Sequence, residues 1–137
     1  MAEQTEPMVA FEQQGRIHVG TLRSPRVLST INVTEFGAEV LAYVAQHPRL
    51  NLLLNFEHVD HLSSAVLTEL LRIHKAVEQT SGQLRLCAVS ESIQEVFRIT
   101  NLHKVFQLSA DDAETVVKRF ERSLDIAARE AAWQEPL

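Results

Sequence analysis

The chain has 137 residues, 45% of them hydrophobic, which is enough for one core and one domain. Its formal net charge of −5 argues against nonspecific nucleic-acid binding, which depends on Lys and Arg neutralising phosphates. A single cysteine, Cys87, excludes an intrachain disulfide, and no run of about eighteen apolar residues offers a membrane span.

Residues 1–7 are polar and acidic, without the basic-then-apolar order of a secretory leader, so the chain reads as unsecreted and cytoplasmic, with residues 1–7 as a flexible N-terminus. Residues 8–12 and 16–22 read as two strands around a turn at Gln13-Gln14-Gly15, a hairpin that Arg23-Ser24-Pro25-Arg26 ends. Asn32 with Glu35 forms a capping-box pattern. It opens a helix with Val33, Phe36, Val40, Leu41 and Val44 on one face, which His47-Pro48 closes.

Residues 50–56 are a nearly continuous apolar run, as expected of a central strand covered on both faces. A helix over residues 64–80 follows, with Ser64 as its cap. Its apolar face is Val66, Leu67, Leu70, Leu71, Ile73, His74 and Val77, with Thr68, Glu69, Arg72, Lys75 and Gln79 outside and Ser81-Gly82 as its end.

Residues 83–89 read as a strand in which Cys87 is a small buried residue rather than a reactive thiol. A helix over 90–100, capped by Ser90 or by the Ser92/Glu95 pair, buries Ile93, Val96 and Phe97. A strand over 104–108 precedes a last helix capped by Ser109 with Asp112 and carrying Val116, Val117, Phe120 and Leu124. Residues 123–137 form a helical extension or tail, in which the lone Trp133 covers a core edge or meets a second chain. The order β-β-α-β-α-β-α-β-α predicts an α/β fold with a mixed sheet, its parallel part built by right-handed crossovers.

Chemistry is sparse. His58-Val59-Asp60-His61 brings two imidazoles and a carboxylate close in sequence, but a structural zinc site wants four ligands, and Cys87, His74 and His103 sit on separate elements. No metal and no cofactor is expected. A Ser-His-Asp hydrolase assembled from Ser63 or Ser64, His61 and Asp60 lacks both the separate supporting elements and a G-x-S-x-G elbow. Arg72, Lys75, Arg85, Arg98 and Lys104 form either a partner-binding patch or ordinary scattered surface charge. The glycines Gly15, Gly20, Gly37 and Gly82 are too scattered for a dinucleotide loop.

The informative junction is Leu62-Ser63-Ser64-Ala65-Val66-Leu67, where an apolar strand hands over to an amphipathic helix. A hydroxyl there is either a plain N-cap or an acceptor for a phosphate, which a helix N-terminus tolerates through its unpaired N–H groups and partial positive charge. The segments Asn51-Leu52-Leu53-Leu54-Asn55-Phe56, Gly82-Gln83-Leu84-Arg85-Leu86-Cys87 and Thr100-Asn101-Leu102-His103-Lys104-Val105-Phe106 surround it in an order that resembles the STAS family of anti-sigma factor antagonists. In that family a buried strand leads to an Asp-Ser-x-Gly signature, then to a Gly-x-Leu-x-Leu strand and a Thr-x-Leu-x-x-x-Phe segment. The likeness is strongest over residues 51–108 and extends over residues 8–122 as a STAS-like domain.

The resemblance implies a non-enzymatic regulator of transcription that binds an anti-sigma factor of the serine/threonine kinase type and releases it when phosphorylated, with a phosphatase resetting the cycle. It places the acceptor at Ser64, with Ser63 in reserve, and a contact surface at Asp60, His61, Ser63, Ser64, Ala65, Thr68, Glu69 and Arg72. Ser63 stands where the family has Asp, and Val66 where it has Gly. Those two departures favour an alternative, a STAS-like scaffold without a phosphorylation cycle in a signalling or transporter assembly. The chain is expected to be a monomer or weak homodimer, without nucleic acid or membrane insertion.

Overall fold

A computed structural model describes residues 8–23 and 33–134, with side chains to residue 132. The elements are β1 Val9–Gln14, β2 Ile17–Leu22, α1 Val33–Gln46, β3 Asn51–Asn55, α2 Ser64–Gln79, β4 Gln83–Cys87, α3 Glu91–Ile99, a 3₁₀ turn Leu102–Lys104, β5 Gln107–Leu108 and α4 Ala113–Gln134. The predicted order of strands and helices is the observed one.

The five strands lie in the order β1-β2-β3-β4-β5, with β1 antiparallel to β2 and every other pair parallel. β3 is therefore the middle strand, as its apolar run predicts. Its alternation divides the core: Leu52 and Leu54 point into a large cluster under α1, α2 and α3, and Leu53 points into a smaller one under α4. The smaller cluster joins Ile17, Val19, Cys87, Val116, Val117 and Phe120, so among the described residues a single helix covers the second face.

Several local expectations shift. β1 runs on to Gln14, and the hairpin turns at Gly15-Arg16, where Gly15 takes the left-handed φ of 63° that a side chain resists. The predicted strand over 104–108 shrinks to two residues. Val105 and Phe106 donate their N–H groups to Leu102 O, which satisfies them locally, and Phe106 turns inward against Phe97 and His74.

The last helix is capped by Asp112, whose Oδ1 accepts from Thr115 N at 3.0 Å. Ser109 instead accepts from Asp111 N in the preceding turn. In α3 the cap is Ser90, accepting from Ile93 N. Leu71 of α2, predicted inside, lies at the margin of the apolar stripe and is 39% exposed. Asn32, the 24–26 break and the Trp133 side chain lie outside the described residues. No helix among the described residues is long and apolar enough to cross a membrane.

Candidate functional site

The site is built on the loop from β3 to α2. Asn55, at the end of β3, is 4% exposed and is the buried polar residue of the described core. Its amide nitrogen donates to Glu57 Oε1 at 3.0 Å and Thr21 Oγ1 at 3.4 Å, and its Oδ1 accepts from Glu57 N at 3.1 Å. That side-chain-to-backbone turn fixes the exit of the chain from the sheet. Phe56 and Val59 then sink into the core, so the residues between and after them, His58, Asp60 and His61, are held outward.

At the start of α2 the two serines have different jobs. Ser63 has extended backbone, φ −91° and ψ 165°, and its Oγ accepts from Val66 N at 3.3 Å, so Ser63 is the cap. The expectation of Ser64 as cap is corrected, because the helix begins one residue earlier than that reading requires. Ser64 is the first helical residue. It is exposed, and among the described residues its hydroxyl makes no hydrogen bond. Its carbonyl receives the Thr68 hydroxyl at 3.2 Å.

Of the predicted contact surface, Asp60, His61, Ser64, Thr68 and Arg72 are exposed, and Ser63 and Ala65 are half-buried. Glu69 is corrected from its predicted outward place. Its side chain is 12% exposed and lies over Gly37 of α1, where an added Cβ would stand 2.0 Å from Glu69 Oε1, and it accepts from Arg72 Nη1 at 3.3 Å. The helix-to-helix approach that Gly37 allows pulls this carboxylate off the surface.

A cleft of about 130 Å³ adjoins the loop, lined by Asp60, His61, Leu62, Ser92, Ile93 and Val96. The contribution of α3 to this surface was invisible in the sequence, since some thirty residues separate the two walls and only the packing of α3 beside the loop joins them.

Other chemistry does not assemble. Among the described residues, no three His, Cys, Asp or Glu side chains converge as a metal site would require. His58 Nε2 lies 3.3 Å from Glu57 Oε2, and neither His58 nor His61 is bonded to either serine. Cys87 is fully buried. Burial first, then the charges of Glu57 and Asp112, push its thiol up to about 12, which leaves it without a nucleophilic thiolate near neutrality. The five basic residues are dispersed: Arg72 and Lys75 stand on α2, Arg98 pairs with Glu95 on α3, Lys104 ends the 3₁₀ turn, and Arg85 lies on the α4 side of the sheet.

Residues 8–122 match the family described as STAS domain. The chain is 30% identical over 98 residues to BtrV of Bordetella bronchiseptica, named as a candidate anti-sigma factor antagonist, in a match covering 72% of this chain and 83% of that one. Its fold is similar to an anti-sigma-factor antagonist (STAS) domain protein of Planctomyces limnophilus, with TM-score 0.70, 18% identity, and coverage of 80% of this chain and 96% of that one. It is also similar to SpoIIAA of Bacillus in its phosphorylated form, with TM-score 0.63, 20% identity, and coverage of 81% and 97%. The structural likenesses bear on the fold, and the match over residues 8–122 bears on descent. With the hairpin, the three parallel pairings and the serine-bearing start of α2 in place, the chain belongs to the STAS domain family.

Proposed function

We propose that this protein is an anti-sigma factor antagonist whose complex with an anti-sigma kinase is gated by phosphorylation of Ser64. The observation that carries the reading is the division of labour at the start of α2. Ser63 is committed to the cap, which leaves the Ser64 hydroxyl exposed and unbonded at the first helical position. A phosphate there adds about −1.5 to −2 charges beside a helix N-terminus, which the fold accommodates, while a partner seated on Asp60, His61, Thr68 and Arg72 meets a charge it must pair or repel.

The two departures from the family signature fit this arrangement. Ser63, in place of Asp, still accepts the capping bond through its own oxygen. Val66, in place of Gly, is fully buried and spends its branched side chain in the core, two residues round the helix from Ser64. Neither substitution covers the acceptor. In this reading the chain acts in the cytoplasm by binding and has no catalysis of its own; a phosphatase restores the unmodified form.

The test is to capture the partner from native lysate, incubate the purified pair with ATP, and locate any added phosphate by fragmentation mass spectrometry. One phosphate on Ser64 is expected, with Ser64→Ala retaining the partner and Ser64→Asp weakening the complex. A phosphate on Ser63 instead would move the switch onto the cap. No phosphate, with equal binding by wild type, Ser64→Ala and Ser64→Asp, would leave the constitutive scaffold as the better reading.

A further inference from the structure

The face of the sheet away from α2 carries a cation with no carboxylate. Arg85, on β4, extends into the layer beneath α4. Its guanidinium carbon lies 4.3 Å from the centre of the Phe120 ring, and Nη2 donates to Ser123 Oγ at 3.0 Å. The Nε is buried without a hydrogen-bond partner, the one side-chain N or O in that condition among the described residues. None of the ion pairs among those residues involves Arg85. A ring face and a neutral hydroxyl offset the desolvation of a full positive charge only in part, so the fold leaves this cation under-compensated.

Beside it, at the β5 edge, opens a cleft of about 130 Å³ lined by Arg85, Arg119, Gln107 and Ser109, with Leu108 and Val116 as its apolar wall. β5 is short, pairing with β4 only at Arg85 and Leu86, and both of its residues, Gln107 and Leu108, line the cleft. Arg119 reaches the cleft from α4 while paired with Asp111 at 2.5 Å; both side chains are about half exposed, so the pair is weakly held. Two guanidinium groups against one carboxylate make the cleft net positive. They arrive from different elements, so a single anion can be gripped from two sides.

We infer that this cleft binds a small tetrahedral oxyanion of the phosphate or sulfate class between Arg85 and Arg119. The site is separate from Ser64 and does not depend on the phosphorylation reading. The test is a titration of the ¹⁵N-labelled full chain with sodium phosphate against sodium chloride at matched ionic strength, followed at the Arg85 Nε–H signal and the Gln107 and Ser109 amides. Saturable shifts are expected with phosphate and with sulfate, not with chloride. Arg119→Gln should weaken the apparent affinity about tenfold, the scale of one charge-assisted hydrogen-bonding partner. Asp111→Asn, which releases Arg119 from its carboxylate, should tighten binding, and Ser64→Ala should titrate as wild type. Both decisive variants, Arg119→Gln and Asp111→Asn, are at exposed positions, so the result does not depend on whether Arg85→Gln folds. Equal, non-saturating shifts with phosphate and chloride, acetate binding as tightly as phosphate, or an affinity unchanged in both variants would overturn the site.

Discussion

Two adjacent serines of identical chemistry are set apart by one residue of helix geometry. Because Ser63 supplies the capping bond to Val66 N, Ser63→Ala should lower the unfolding free energy by about 1 kcal/mol, whereas Ser64→Ala, at an exposed position without a hydrogen bond, should change it by less than about 0.5 kcal/mol. Urea unfolding of the two variants measures both. A larger loss for Ser64→Ala would reassign the cap and remove the basis for a free acceptor hydroxyl. The same residue-scale logic explains why Glu69, drawn in by Gly37, is 12% exposed at its side chain where Arg72 is 63% exposed.

At the scale of elements, two contacts carry testable weight. The first is the seam between the hairpin and the end of α1. Tyr43 stacks on Phe11 with ring centroids 3.8 Å apart and on His47 at 4.1 Å, and its hydroxyl lies 2.7 Å from His18 Nδ1. Burial first, then the charge of His47, hold His18 below the ordinary imidazole value. The unfolded chain therefore takes up this proton more readily than the folded one. The stabilising contribution is present above pH about 6.5 and is lost as pH falls from there toward the depressed folded value. NMR titration should find His18 below its ordinary value and higher in His47→Gln; a His18 that titrates at or above the ordinary value would contradict the seam. The second contact is the end of α2. Ser81 takes the left-handed conformation, φ 65°, and Gly82 lies against the backbone of Leu50, where an added Cβ would meet the Leu50 carbonyl oxygen at 2.2 Å. Gly82→Ala should therefore cost about 1–3 kcal/mol in thermal or urea unfolding, as overpacking against immovable backbone does. An unchanged melting temperature would show that the start of β4 can shift.

For the whole molecule the decisive feature is a sheet buried on both faces by unequal layers. Leu53 and Leu70 are each fully buried, but Leu53 points toward α4 and Leu70 toward the large cluster on the other side. Placing an unpaired carboxylate at either site costs several kcal/mol against a stability of about 5–15 kcal/mol. Leu53→Asp and Leu70→Asp should thus each abolish the cooperative melting transition seen by circular dichroism. If Leu53→Asp alone kept it, α4 would be dispensable cover rather than half of the core. The far end of α4 has a different character: beyond Leu124 its described residues are exposed, so this stretch of helix stands clear of the core that the first turns complete.

What the amino-acid order determined by itself was whatever local period and local capping control. The apolar run over 50–56 marked the middle strand, the helical spacing of Val66, Leu70, Ile73 and Val77 marked the face of α2, and the segments around Ser63-Ser64 carried the family resemblance. These signals are readable because each arises from neighbours within a turn or two of the chain. Tertiary structure alone decided the rest. The strand expected over 104–108 shrank to Gln107–Leu108, with Phe106 turned inward against Phe97 instead of pairing along the edge, and the cleft beside Arg85 lies at that short edge. Likewise, Glu69 left the surface because Gly37 lets α1 and α2 approach, and Ser92 joined the loop of Asp60 and His61 across thirty residues of sequence. In each case the deciding partner is distant in the chain, and no local pattern encodes a contact whose other half lies on a different element.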